Sequence, residues 1–382
     1  MSGAELTSEE RERYSRHLVL PEVGIDGQAK LKSARVLIVG AGGLGSPVGL
    51  YLAAAGVGVI GIADDDIVTT SNLQRQVLYS TSDVGKSKAV LAKERLLSLN
   101  PDVTVEIYEE RLDASNILNV LTGYDIVADC TDNFPSRYLI NDASVLLKRV
   151  CVYGSVFRFE GQVSVFGYRG GPCYRCLFPV PPSPELVQDC SQSGVVGALP
   201  GIIGAMQAGE IIKLIIGKGK ALSGRLFMFD GLAAASEEIV IKKDPGCPLC
   251  GEQPTITSLV DYEEFCEGEV STDASTKGIA DITVEELKHR LESGESVQLL
   301  DVREQCERVI CSLGGAFIPL GELQQRVPEL DRTQELIVYC HHGIRSQSAV
   351  NLLRHSGIPK ARNLLGGIDM WARKVDPSMP RY

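Results

Sequence analysis

The amino-acid sequence predicts an α/β chain, a doubly wound unit followed by a second, smaller α/β unit, and three observations carry that expectation. A β-branched run, Arg35 to Val39, ends in Gly40-Ala41-Gly42-Gly43-Leu44-Gly45 and passes into helix-forming residues, the strand, loop, helix order of a parallel sheet. Apolar runs and helical stretches then alternate as far as Cys130. Beyond Cys250 the composition turns acidic and rich in Ser and Thr over Gly251 to Lys277, with weak periodicity and no second glycine pattern. Residues 1–255 are therefore read as the first domain, 256–277 as a linker and 278–382 as a second domain of ordinary size.

The elements follow in order. After the strand Arg35 to Val39, Pro47 to Ala55 are helical and Val59 to Ala63 make the next strand. Lys86 to Leu99 form an amphipathic helix, and Val103 to Tyr108 and Ile126 to Cys130 form two more strands. In the second unit Thr283 and Glu286 have capping-box spacing at the start of a helix through Leu291. Val297 to Val302 and Leu336 to Tyr339 read as strands, and Ser346 to His355 as a helix with Ala349, Leu352 and Leu353 on one face.

Composition excludes several function classes. A formal charge of -11 argues against direct binding of nucleic acid, whose phosphates call for clustered Lys and Arg. The apolar run Val36 to Ala63 carries eight glycines, and the run Val195 to Ile216 is interrupted by Glu210 and Lys213, so neither is expected to cross a membrane. The first residues lack the basic and apolar regions of a signal peptide, which places the chain in the cytoplasm. In that compartment eleven cysteines read as metal ligands or reactive thiols rather than a disulfide framework.

The glycine loop lets backbone approach phosphates at a helix N-terminus, and Asp64, about twenty positions on, suits ribose hydroxyls. That much fits an NAD-dependent oxidoreductase equally well. Ser71-Asn72-Leu73-Gln74-Arg75-Gln76, then Lys88, then Asp132-Asn133, break the tie: two cations suited to phosphoryl oxygens and a hard carboxylate suited to Mg²⁺ have no place in hydride transfer. The competing reading makes Arg75 and Lys88 solvated surface charges. Cys173-Tyr174-Arg175-Cys176 and Cys247-Pro248-Leu249-Cys250 each offer two thiolates from a turn, and together fill the closed tetrahedral shell of structural Zn²⁺; two redox pairs are the rival.

Two further cysteines stand apart. Cys340 opens Cys340-His341-His342-Gly343-Ile344-Arg345-Ser346 between a strand and a helix N-terminus, where backbone N–H groups and Arg345 favour a thiolate or persulfide anion. Cys190 lies in Gln188 to Gly194, after Pro181-Pro182-Ser183-Pro184, in a stretch that reads as a surface crossover loop. Cys130, Cys151, Cys266, Cys306 and Cys311 have no partner spacing and are read as packing residues.

These motifs carry a resemblance. Arg13-Tyr14-Ser15-Arg16, Gly40 to Gly45, Ser71 to Gln76, Asp129 to Asn133 and both Cys-x-x-Cys pairs resemble the ubiquitin-activating-enzyme-like adenylyltransferases that activate small sulfur carriers, as in molybdopterin and thiamin biosynthesis. The Cys340 loop, Leu300-Asp301-Val302-Arg303 and Gly366-Gly367 before Trp371 resemble a single-domain rhodanese, although Leu313 to Pro319 departs from the usual His-Ile-Pro-Gly-Ala pattern. The resemblance implies a Rossmann-like adenylation domain followed by a rhodanese-like sulfurtransferase domain. It implies that ATP touches Gly42, Gly43, Asp64, Ser71, Asn72, Leu73, Gln74, Arg75, Lys88, Asp132 and Asn133, with Asp132 near Mg²⁺. Arg16 would reach the partner's site in a homodimer, Cys190 would act on the acyl side, and Cys340 would bear the sulfur. The partner would be a ubiquitin-fold sulfur carrier ending in Gly-Gly, supplied with sulfur from thiosulfate or from a persulfide donor such as a cysteine desulfurase.

Overall fold

The structure, a computed structural model, describes residues 5–181, 194–262 and 281–382. The chain forms two compact units, Met1–Glu269 and Val270–Tyr382.

The larger unit is built on β1 (Arg35–Val39), β2 (Val59–Ala63), β3 (Thr104–Tyr108), β4 (Ile126–Asp129), β5 (Val150–Phe157), β6 (Glu160–Phe166), β7 (Arg225–Asp230) and β8 (Ala235–Val240). They lie in the order β3-β2-β1-β4-β5-β6-β7-β8. Neighbours from β3 to β5 are parallel, and β6 to β8 continue the sheet antiparallel. The central strands β1, β2 and β4 are almost continuously buried, as expected for strands covered on both faces, whereas the edge strand β3 buries only Val105 fully and every residue of β8 is exposed. Sequence patterning reads β1 to β4 to within a residue at each end and does not reach β5.

The strand order reverses between β1 and β4, the place where open α/β sheets bind ligands beyond the carboxyl ends of their strands. Register makes this crevice sharp. Val39 is paired with Ala63 on one side and with Asp129 on the other, so the segments that follow β1, β2 and β4 leave the sheet at one level. The helix Ala198–Ile216 is long and apolar enough to cross a membrane, yet half of that stretch is buried. Gly204 packs it against Leu44 and Pro47, and Gln207 Nε2 donates to the carbonyls of Asp129 at 2.8 Å and Val152 at 3.1 Å.

The smaller unit holds an all-parallel sheet ordered β10-β9-β11-β12, from β9 (Gln298–Asp301), β10 (Ala316–Phe317), β11 (Leu336–Tyr339) and β12 (Ala361–Asn363). Its first helix, Val284–Glu292, is capped by Thr283, which accepts from the Glu286 N–H at 3.1 Å. The Glu286 carboxylate does not complete the reciprocal box, because Arg362 holds it at 3.3 Å. The helix Ile344–His355 starts two residues before the sequence reading, directly after Gly343 at φ +95°, and buries Ala349 and Leu353 with Leu352 beside them.

Candidate functional site

The glycine loop turns on one close approach: a Cβ at Gly45 would lie 1.9 Å from the Gly40 carbonyl oxygen, so the first helical residue after the loop has to be glycine. The loop is fixed from outside as well. Ala41 N–H donates to Asp64 Oδ2 at 2.7 Å, and the Tyr79 hydroxyl donates to the Ala41 carbonyl at 2.8 Å. Asp64 Oδ1 accepts from the Asp66 N–H at 3.0 Å. Both Asp64 oxygens are thus engaged with backbone, and burial pushes its carboxyl upward against the pull of Lys88. Asp64 shapes the loop while standing on the wall of the cleft above it.

A cleft of about 340 Å³ opens over this loop, and among its walls are Gly42, Gly43, Asp64, Arg75, Lys88, Asp132 and Asn133. The fold therefore gathers seven of the expected nucleotide contacts from five separated stretches of sequence. Lys88 is no solvated surface charge: it is 5% exposed, and its Nζ donates to Asp66 Oδ2 at 2.8 Å. Arg75 is half-buried, with Nη1 donating to the Ser71 carbonyl at 3.0 Å. Asp132 stands exposed on the rim, and Asn133 caps the helix Phe134–Leu146 by accepting from Ser136 N–H at 2.9 Å.

Ser71, Asn72, Leu73 and Gln74 are not among the residues lining the cleft. Asn72 Oδ1 accepts from Thr69 N–H at 3.1 Å, Leu73 packs on the core, and Gln74 Nε2 reaches the Val195 carbonyl at 3.4 Å. Together they form the turn that presents Arg75. Arg16 is exposed on the short helix Ser15–Leu18 and likewise does not line this cleft. Cys190 and Cys266 lie outside the described residues. Residues the motifs did not reveal are Asp66 and Arg137, both on the cleft wall, and Tyr79 behind it, while Gln76, which closes the Ser71 motif, lines the wall as well. Arg137 is buried and donates to Ser155 Oγ at 2.9 Å, bringing a third cation to the site.

On the same unit Cys173, Cys176, Cys247 and Cys250 place their sulfurs within 4.8 Å of one another. The separations are 4.0 Å for Cys173–Cys176, 3.7 Å for Cys173–Cys247 and 3.4 Å for Cys176–Cys250. Zn–S bonds of ~2.3 Å in a tetrahedron give edges of about 3.8 Å, close to these three separations, so the donor set fits zinc. Hydrogen bonds from the Cys173 thiol first, and from Cys176 and Cys247, hold Cys250 down at about 5, and the Asp244 N–H points at Cys176 Sγ from 3.5 Å. The first knuckle is pinned to the fold by Arg175, whose guanidinium grips the buried Asp142 at 2.8 and 2.9 Å while Tyr262 donates to the same carboxylate at 2.7 Å. Cys130 and Cys151 are buried as expected; Cys306 is exposed, a correction that follows from its place on the outer side of a short helix, Gln305–Ile310.

In the smaller unit Cys340 is 1% exposed at the end of β11. Gly343 N–H donates to its sulfur at 3.1 Å, and Ser346 Oγ sits 3.3 Å from the same sulfur and 2.7 Å from Asn363 Oδ1. The loop is anchored from behind: Ile368 and Asp369 N–H groups donate to the carbonyls of Cys340 and His341. A Cβ at Gly367 would lie 2.4 Å from the His341 oxygen, which explains the paired glycines there. Arg345 donates through Nη1 and Nη2 to Glu307 at 2.7 and 2.6 Å. Burial alone would raise Glu307, but those bonds outweigh it and hold the carboxyl below its ordinary value. Burial, and the neighbouring His342, push His341 down to about 4, so it is neutral at physiological pH. The arrangement is a thiol wrapped in donors, fit to stabilise sulfur anions.

Comparison with known proteins identifies both units. The ThiF family matches residues 14–249 and the rhodanese-like domain matches 283–374. A probable adenylyltransferase/sulfurtransferase MoeZ of Mycobacterium tuberculosis is 45% identical over 99% of this chain and 96% of its own length. The adenylyltransferase and sulfurtransferase MOCS3 of Mus musculus is 43% identical over 99% of this chain and 89% of its own. Among solved structures, E. coli MccB with ATP aligns at a TM-score of 0.56 and 24% identity, covering 64% of this chain and 75% of that one, a likeness of fold.

Proposed function

The chain belongs to the ThiF family and continues into a rhodanese-like domain, and from that membership we propose that its adenylyltransferase and sulfurtransferase activities act in succession on the C-terminal glycine of a ubiquitin-fold sulfur carrier ending in Gly-Gly. In the first step a carrier carboxylate oxygen attacks the α-phosphorus of ATP, the bond to the β-phosphate bridging oxygen breaks, and pyrophosphate leaves an acyl adenylate. Such a reaction needs charge neutralisation and in-line placement more than covalent help. The observation that carries the reading is the levelled carboxyl ends of β1, β2 and β4, which set the glycine loop, Asp64, Lys88 and Asp132 around one cleft. Lys88 and Arg75 would take phosphate oxygens, with Lys88 exchanging Asp66 for them, and Asp132 would hold the Mg²⁺ that shields their charge. Arg16, exposed and away from its own cleft, would complete the site of a second copy in a homodimer. The four-cysteine cluster would hold Zn²⁺ as a staple, and the setting is cytoplasmic.

In the second step the Cys340 thiolate attacks the sulfane sulfur of thiosulfate, releasing sulfite, or accepts sulfur from the persulfide of a cysteine desulfurase. The terminal sulfur of the Cys340 persulfide then attacks the acyl carbon, and AMP departs with the bonding pair. A thiol, assigned to Cys190, attacks the Cys340 sulfur of the acyl disulfide, so the carrier leaves as a thiocarboxylate and a protein disulfide remains for an external thiol to reduce. Alternatively Cys190 acts one step earlier, displacing AMP as a thioester. Donors around Cys340 Sγ support the persulfide stage.

The test incubates the protein with ATP, thiosulfate and a carrier ending in Gly-Gly. Carrier-dependent pyrophosphate exchange and a carrier mass gain of about 16 Da, sulfur for oxygen, are expected. Cys340→Ala keeps the exchange and loses the mass gain. Absence of exchange overturns the first step, and undiminished sulfur loading by Cys340→Ala overturns the second.

A further inference from the structure

The Cys340 loop is covered by a side chain that neither motif contains. The ring of Tyr382 stacks on His341 with centroids 4.2 Å apart and planes 9° from parallel. Its hydroxyl accepts from Arg303 Nη1 at 2.7 Å and donates to Glu307 Oε1 at 3.0 Å. Arg303 is fully buried and grips Asp301 at 2.7 and 2.9 Å, and Glu307 in turn holds both ends of Arg345. One phenol therefore joins two buried ion pairs into a row of alternating charge, Asp301, Arg303, Glu307, Arg345, that ends in the loop bearing Cys340.

The consequence is electrostatic. Arg345 is 5% exposed, and its Nε has no hydrogen-bond partner, so the guanidinium keeps one donor uncommitted. How strongly it attracts an anion depends on how much of its charge Glu307 cancels. A phenol bonded to Glu307 and backed by a second guanidinium draws part of that carboxylate's charge toward Arg303 and away from Arg345. Burial by itself would lower Arg345; Glu307 and, less strongly, Cys340 raise it, which places the thiol within range of this charge.

We propose that Tyr382 is a positioning residue for sulfur transfer: its hydroxyl shares the charge of Glu307 so that less of the positive field of Arg345 is cancelled at Cys340, and its ring closes the loop over His341. This deepens the reading of Cys340 as the sulfur bearer and rests on it. The anions served are thiosulfate, the Cys340 thiolate and its persulfide.

The experiment uses the full chain and two reagents that differ only in charge. Alkylation of Cys340 by iodoacetate and by iodoacetamide is followed by peptide mass spectrometry, and the ratio of the two rates reports the local field independently of thiol reactivity. Tyr382→Phe keeps the ring and is expected to lower the iodoacetate-to-iodoacetamide ratio about tenfold, the scale of one charge-assisted hydrogen bond, with kcat/KM for thiosulfate falling alongside. An equal change in both reagents, or a ratio within twofold of the unmodified chain, means that Tyr382 only packs, and overturns the proposal. Should Tyr382→Phe lose cooperative melting, Tyr382→Trp, which also keeps a ring and lacks the phenol, is read in the same way. The parent reading has its own signal: thiosulfate adds about 32 Da to the Cys340 peptide of the unmodified chain if that residue carries sulfur.

Discussion

Replacing Glu307 by Ala would leave Arg345 buried with its charge uncompensated. Glu307 and Arg345 are 7% and 5% exposed and joined by two bonds of 2.6 and 2.7 Å, so screening by water is slight. Removing one partner of such a pair costs about 3–5 kcal/mol, a large part of the ~5–15 kcal/mol that stabilises a domain. For a unit of this size each kcal/mol moves the midpoint by roughly 4 °C or more, so a fall of at least ~12 °C is expected for the rhodanese-like unit. Glu307→Gln, which keeps an acceptor but not the charge, should lose about 2 kcal/mol. The pH dependence fixes the mechanism. Glu307 is lowered from 4.5 in the folded state, so its contribution is fully present above pH 4.5 and disappears as pH falls through the folded value. Chemical denaturation of the full chain, followed through the Trp371 signal at neutral pH and at a series of pH values below 4.5, checks this. A loss below about 1 kcal/mol at neutral pH, or a gap between the two chains that does not narrow as pH falls below 4.5, would refute the reasoning.

Three further outcomes are expected. Lys88→Ala should reduce carrier-dependent pyrophosphate exchange about 100-fold, with melting of the unit little changed, because its charge serves the cleft and its present partner Asp66 is solvent-facing. Metal analysis should give one zinc per chain, and zinc retention should fall as the medium is acidified, since all four sulfurs must be thiolates to bind it and protons compete for each. Gly45→Ala, which drives a Cβ to 1.9 Å from the Gly40 oxygen, should abolish nucleotide binding and lower the midpoint, whereas Gly209→Ala, with nothing within 4 Å in the middle of a helix, should raise stability by up to about 1 kcal/mol.

What the sequence made legible follows from how each feature is encoded. Parallel strands buried on both faces are continuous apolar runs, so Arg35–Val39 and Val59–Ala63 stand out. β7 and β8 do not: their alternating Phe, Met, Glu and Ser leave one face or both exposed, a weaker signal than the glycine loop. The cleft was legible where a residue type announces its chemistry, as for Lys88 and Asp132, and illegible where a common residue acts through backbone, as for Tyr79 on the Ala41 carbonyl. The resemblance implies nucleotide contacts at Ser71 to Gln74, and the fold adds that they build the turn that carries Arg75. Contacts within a motif and support for a motif look alike in one dimension.

The same distinction governs the sulfur site. Cys340 and Arg345 share one short loop and declare themselves, but what sets the strength of Arg345 lies 38 positions before it in Glu307, and in Tyr382, 75 positions beyond Glu307 and on the other side of the loop. A short loop can supply donors to a sulfur anion; it cannot by itself hold a guanidinium against the carboxylate that neutralises it. That balance is set by residues brought in by the fold, so two chains with identical active loops can differ in how they treat anionic sulfur donors, and the difference should be sought in the residues facing Glu307 before it is sought beside Cys340.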